Sequence, residues 1–118
     1  MKRIAFIDLG SNSVRFVIYE ISKTGSYRLI YQEKNSVRLS ENMWGTQKLT
    51  NEAMERSLRS LKAFVHMAEA MEVDTIKAVA TAAVRLAKNG DVFIKTVKER
   101  TILIRFFEYF FDSGISIG

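Results

Sequence analysis

The sequence predicts an α/β domain in which helices pack on one mixed sheet. Three strand-like stretches follow one another before residue 35, and a long amphipathic helix begins near residue 51. A short apolar strand and a second helical stretch come after it. The expected order is βββαβα. A chain of 118 residues is long enough for one such domain with a real core.

Residues 3–8 are nearly all apolar, as in a strand buried on both faces. Residues 14–21 (VRFVIYEI) are rich in β-branched and aromatic side chains and read as a second strand. The cluster Ser22-Lys23-Thr24-Gly25-Ser26 is a turn, and residues 27–34 (YRLIYQEK) complete an antiparallel meander. A polar stretch runs from residue 35 to 48, with Val37-Arg38-Leu39 a candidate extended segment and Gly45 marking a turn. Thr50 offers a hydroxyl N-cap and Glu52 an acid in the first helical turn. Met54, Leu58, Leu61, Val65 and Ala68 then recur at spacings of four and three. Phe64, Met67 and Met71 widen the stripe into a core-facing surface. The helix is expected to end at Val73-Asp74, before the strand of residues 76–80. Residues 81–87 suggest a helix opening on that strand's end, and Asn89-Gly90-Asp91 caps a further helix that buries Phe93, Ile94 and Val97.

Composition narrows the chemistry. Cysteine is absent, which removes disulfides and thiolate chemistry. No apolar run approaches the roughly 20 residues of a membrane helix, so no membrane partner is expected. Met1-Lys2-Arg3 leads directly into a strand without an apolar leader, which makes the cytoplasm the expected compartment. Net charge is +5 with a pI near 9.6, a balance that suits anionic partners. The basic residues are dispersed, however, and do not form a polybasic tail. Aromatic residues are not interleaved among them as a nucleic-acid stacking platform requires, so no nucleic-acid partner is expected.

Between the first two strands lies Asp8-Leu9-Gly10-Ser11-Asn12-Ser13. A hairpin needs only a turn, and this insert carries a carboxylate, a glycine and three small hydrogen-bonding side chains. Gly10 permits close approach of a ligand to the backbone. The N–H groups of Ser11, Asn12 and Ser13 could converge into a nest for an anion, with hydroxyls and an amide as further donors. Asp8 beside such a pocket is a sensible holder for Mg²⁺, which keeps most of its waters and takes one or two carboxylates. The alternative is that Asp8 and the serines merely close the turn through side-chain to backbone bonds. The insert matches neither the GxxxxGK[ST] loop nor the GxGxxG fingerprint.

A second candidate is Ala80-Thr81-Ala82-Ala83-Val84-Arg85, where a strand end and a helix start bring a hydroxyl and a guanidinium to one rim. Arginine suits bidentate phosphate recognition, although a surface ion pair would explain Arg85 equally. Arg15 and Arg38 raise the same question. Arg15, two residues past Ser13, could fold over the pocket or into the sheet edge. His66, the single histidine, lies beside the helical apolar stripe and reads as a structural or solvated residue. No partner supports a metal role or a serine-nucleophile triad for it.

The stretches IDLGSNSVRFVIYE, VRLSE and AVATAAVRLAKNGDVFIKTVKERT resemble the exopolyphosphatase and guanosine pentaphosphate phosphohydrolase family over residues 3–101. That resemblance implies a ribonuclease H-like half-domain of the actin-like ATPase superfamily, whose paired halves clasp a phosphate. It implies a phosphate loop of Gly10, Ser11, Asn12 and Ser13, with Asp8 near a divalent metal, Mg²⁺. Arg85 matches the family's phosphate-binding arginine, and Thr81 and Arg38 match motif positions of less defined role. The implied activity is hydrolytic removal of the terminal phosphate of inorganic polyphosphate or guanosine pentaphosphate. Such chemistry rests on positioning and charge neutralisation.

The resemblance breaks off after Thr101. The family's S-G-E-E-E-A stretch, whose glutamate resembles a general base, is replaced by Phe106-Phe107-Glu108-Tyr109-Phe110-Phe111-Asp112-Ser113-Gly114. Neither Glu108 nor Asp112 matches the motif, so no catalytic residue is identified. Five of the 13 aromatic residues fall within residues 106–111. Such a tail would expose an apolar patch unless another surface covered it. The expectation is a leading lobe, residues 1–101, truncated and inactive without its missing second lobe. A divergent aromatic tail follows, residues 102–118, which could add a strand or derive from a shifted reading frame. The alternatives are a non-catalytic module that binds phosphate chains or pairs with itself as a homodimer through the apolar tail, and a kinase or ATPase of the same superfamily.

Overall fold

The computed structural model describes residues 1–80 and 82–101. Four strands, β1 (Lys2–Leu9), β2 (Ser13–Ile21), β3 (Tyr27–Ser36) and β4 (Thr75–Ala80), form one mixed sheet in the order β3-β2-β1-β4. β2 lies antiparallel to both β1 and β3, whereas β4 runs parallel to β1. A parallel pair needs a crossover, and the 20-residue helix α2 (Asn51–Ala70) supplies it. The one-turn α1 (Met43–Thr46) precedes α2. After β4 come α3 (Ala82–Leu86) and α4 (Gly90–Arg100).

The pleat separates two unlike faces. Ala5, Ile7 and Leu9 of β1, Val14, Phe16 and Ile18 of β2, and Ile76, Ala78 and Ala80 of β4 are buried on one side. There they meet Leu58, Leu61, Phe64, Val65 and Ala68 of α2. Phe16 and Phe64 stack with ring centroids 4.7 Å apart, which locks strand to helix. The opposite face is open among the described residues. Phe6, Tyr27 and Leu29 are exposed there, and Tyr19 stands edge-on to Phe6 and to Tyr27. The expectation that β1 is buried on both faces is therefore wrong for the described residues: Phe6 and Asp8 look outward.

Local chemistry fixes the ends of α2. Thr50 Oγ1 accepts from Ala53 N–H at 3.1 Å, as its N-cap position predicts. At the other end Val73 N–H reaches back to Ala68 O and Glu72 N–H to Glu69 O, the paired bonds of a Schellman close. Glu72 takes the left-handed position at φ 56°, which glycine usually fills.

The segment before α2 departs from expectation. Residues 37–39 are not extended, since Arg38 is left-handed at φ 48°, and Gly45 lies inside α1. Asn89 precedes α4 but makes no side-chain cap. Its Oδ1 accepts from Leu49 N–H at 2.8 Å and its Nδ2 donates to Leu49 O at 3.0 Å, tying the start of α4 to the approach to α2. Gly90 is buried where α4 turns against α3. A Cβ there would lie 2.0 Å from Val84 O. Phe93 and Val97 are buried as predicted, and Ile94 packs at the margin of the core. The proposed strand at residues 102–106, and the whole tail to residue 118, fall outside the described residues. No described helix is long and apolar enough to cross a membrane.

Candidate functional site

The carboxyl ends of β1 and β4 lie side by side, with Leu9 in register with Ala80. The loop at residues 10–12 and the start of α3 consequently emerge at the same end of the sheet. That is where open α/β sheets place their ligands.

The loop's own bonding decides which of its groups face outward. Gly10 N–H donates to Ser13 O at 2.9 Å and closes the turn, so Gly10 does not itself offer a donor. Ser11 O accepts from Ser40 N–H at 3.0 Å, and Asn12 O accepts from Val37 and Arg38 N–H, each at 2.8 Å. In a trans peptide the C=O and N–H point in opposite directions. The N–H groups of Asn12 and Ser13 therefore turn away from the 37–40 segment that engages those carbonyls. Among the described residues no hydrogen bond takes up the N–H of Ser11 or of Asn12. The loop spends its acceptors and keeps donors. Ser11 and Ser13 are half-buried and Asn12 is exposed.

Asp8 is exposed on the open face, just before the loop, directly opposite Arg15 and Val79. It carries no ion pair among the described residues. A single water-facing carboxylate beside spare donors fits a Mg²⁺ ion held mainly by waters and phosphate oxygens. No group of three or more His, Asp or Glu that could hold a metal occurs among the described residues. Arg15 is exposed and lines a groove with Gln32, Glu33 and Lys34 of β3.

Arg38 forms a surface ion pair, one of the two readings the sequence left open for it. Its Nε lies 3.6 Å from Glu41, which also accepts from Arg56 Nη2 at 2.8 Å. Arg56, which the sequence did not single out, donates through Nε to Val37 O at 2.9 Å. Arg38 and Arg56 thus shape the shelf to which the loop is bonded. The signal for Arg56 was faint: one basic residue in the second turn of a helix, beside the apolar stripe. Arg85 is exposed on α3, at the loop's end of the sheet. Thr81 lies outside the described residues. His66 is exposed on α2.

The strongest described charge cluster sits at the other end of the sheet. Glu20 accepts from Arg28 and Arg3, and these two guanidiniums, Arg28 foremost, hold its carboxyl below the usual range. Arg3 also donates to Met71 O at 2.6 Å. This cluster ties β1, β2, β3 and the end of α2 together and is remote from the loop.

A mixed sheet backed by helices, with a donor-rich loop after its first strand, is one half of a ribonuclease H-like fold of the actin-like ATPase kind. The comparisons agree. Residues 17–103 match the model of the Ppx/GppA phosphatase family, and the chain belongs to that family. It is 43% identical over 99 residues to the guanosine-5'-triphosphate,3'-diphosphate pyrophosphatase of Pseudoalteromonas atlantica, covering 84% of this chain and 19% of that protein. A crystal structure of the type II variant of the Aquifex aeolicus Ppx/GppA phosphatase superposes with a TM-score of 0.84 at 31% identity, over 91% of this chain and 35% of the other. An exopolyphosphatase from Cytophaga hutchinsonii gives 0.79 at 31% identity, over 85% and 32%. The chain thus spans about a fifth of its curated relative and about a third of the solved structures.

Proposed function

We propose that this chain is the phosphate-gripping lobe of a cytoplasmic phosphoanhydride hydrolase. It would remove the terminal phosphate of inorganic polyphosphate or guanosine pentaphosphate. One observation carries the reading: the loop after β1 commits its carbonyls internally and leaves the N–H groups of Ser11 and Asn12 without partners among the described residues. Family membership and the names of its relatives support the same chemistry.

In the reaction a water oxygen bonds to the terminal phosphorus while the P–O bond to the rest of the chain breaks. The shortened chain leaves on its own oxygen. The Ser11 and Asn12 amides, with the side chains of Ser11, Asn12 and Ser13, hold non-bridging oxygens of the terminal group. Arg85 adds positive charge from the facing helix, the arrangement that stabilises spreading negative charge in phosphoryl transfer. Bound at Asp8, Mg²⁺ would neutralise phosphate charge. Water activation is left to a carboxylate of an opposing lobe, so the 118-residue chain alone should bind without turning over.

The test has two arms, both run with Mg²⁺. Titration with inorganic tripolyphosphate should shift the amide NMR signals of Ser11 and Asn12, and Arg85→Ala should weaken binding about tenfold, the loss of one charge-assisted contact. Unmoved amides at millimolar ligand would refute the loop's role. Rapid phosphate release from long-chain polyphosphate by this chain alone would refute the need for an opposing lobe.

A further inference from the structure

We infer that Arg56 of α2 is a positioning residue for the loop after β1, acting on it through two layers of peptide bonds. On the phosphate-loop reading above, Arg56 sets where the loop's donors stand while touching no ligand itself. Its guanidinium donates through Nε to Val37 O at 2.9 Å, and through Nη2 to Arg38 O at 3.3 Å and to Glu41 Oε2 at 2.8 Å. The peptides gripped in this way also grip the loop, since Val37 and Arg38 N–H both donate to Asn12 O at 2.8 Å. The C=O of Val37 and the N–H of Arg38 belong to one trans peptide and point in opposite directions. Arg56 holds one end of that unit and Asn12 O holds the other.

The Arg56 side chain is only 22% exposed, against 61% for Arg38, so its bonds are less diluted by water than those of a surface pair. Hydrogen bonds from a charged donor are roughly twice as strong as neutral ones, and a cation at the head of a peptide chain polarises each bond after it. Here the line runs from the guanidinium to the Val37–Arg38 peptide and on to the carbonyl of Asn12, whose own peptide carries the N–H of Ser13. The segment needs such a hold. Arg38 is left-handed at φ 48°, a conformation that a residue other than glycine keeps only where its surroundings over-determine it. Buried Val37 and Leu39 pin the side chains on either side of Arg38, and Arg56 pins the carbonyls of the same turn. Were that turn free to relax, its two amides would no longer converge on Asn12 O. The loop would then lose the bonds that orient its own amides. Glu41, close to both arginines, keeps the Arg56 fork in place.

The intact chain would be titrated with inorganic tripolyphosphate in the presence of Mg²⁺, by calorimetry and by amide NMR. Arg56→Met keeps an apolar stem on α2 and removes the donors. It should weaken binding about tenfold and displace the Asn12 and Ser13 amide signals before any ligand is added. Arg56→Lys keeps the charge but lacks the planar fork, and should bind about threefold more weakly than the parent. Arg100→Met, which cuts an ion pair to Glu55 elsewhere on α2, should leave both affinity and loop signals unchanged. Parent-like affinity in Arg56→Met, with unmoved loop amides, would overturn the positioning role and leave the phosphate loop standing. Equal losses in Arg56→Met and Arg100→Met would overturn it too, as the mark of general destabilisation. Arg56→Lys carries the test if Arg56→Met does not fold, and parent-like binding and loop signals in it would overturn the guanidinium's role. If the parent chain binds no tripolyphosphate, the loop reading fails and Arg56 has nothing to position.

Discussion

Asp8 and Arg15 face each other across the antiparallel pair of β1 and β2, both exposed, yet they form no ion pair among the described residues. Opposite charges directly across a sheet usually meet. Here Arg15 lines a groove with Glu33 and Lys34, and the carboxylate stays open to water beside the donor-rich loop. A side chain so placed stabilises little and is available for a ligand. Asp8→Asn should therefore change stability by no more than about 0.5 kcal/mol. It should also abolish the strengthening of tripolyphosphate binding by Mg²⁺. Calorimetry with and without Mg²⁺ checks this; an undiminished Mg²⁺ effect in the variant would remove Asp8 from the metal site.

The Phe16–Phe64 stack joins the sheet to α2 at the centre of the core. Phe64→Ala should cost about 3–5 kcal/mol, from lost burial and the cavity left behind. That is a large part of the stability of a domain this size. Phe64→Leu keeps most of the volume and should cost markedly less. Urea unfolding of both variants tests the claim, and equal costs would mean that the site relaxes freely.

Gly90 is required by closeness and not by an unusual backbone angle. A methyl group there would fall 2.0 Å from the backbone oxygen of Val84. Backbone cannot swing aside as a side chain can, so α3 and α4 would have to part. Gly90→Ala should destabilise by about 1–3 kcal/mol, although alanine is ordinarily the better helix former. A thermal melt showing a stabilised variant would contradict the packing.

Glu20 ties stability to acidity. Arg28 and Arg3 hold its carboxyl below the ordinary 4.5, so in acid the unfolded chain binds more protons than the folded one. The contribution is complete above about pH 4.5 and fades as pH falls through the depressed folded value. Glu20→Gln should be less stable than the parent at neutral pH, and the difference should shrink steadily below pH 4.5. A difference that stays constant into strong acid would show that the ion pairs contribute nothing.

Much of the fold was legible because it is written in short-range periodicity. The stripe through Leu58, Leu61, Phe64, Val65 and Ala68 repeats at helical spacing and is buried as read. The Thr50 cap needs only its neighbour Ala53. β1 misled for a physical reason: Ile4 and Phe6 are apolar on the face that the described residues leave open, so its pattern mimics a strand covered on both sides. Asn89 misled because its position suits a cap, while its side chain finds Leu49, 40 residues away in sequence. Arg56 gave only a faint local signal and Trp44 none. Their significance lies in neighbours that only folding supplies.

By itself the sequence determined the order of the strands and the longer helices, the donor-rich insert between the first two strands and the family to which those motifs belong. These depend on residues within a turn or two of one another. Only the tertiary structure decided which loop groups remain available. The carbonyls of Ser11 and Asn12 are taken by Ser40, Val37 and Arg38, and that engagement turns the Asn12 and Ser13 amides away from the segment at residues 37–40. It also set Ser11 and Trp44 around one cleft, since β-pairing and the left-handed turns at residues 38, 42 and 47 bring together segments that the chain keeps apart.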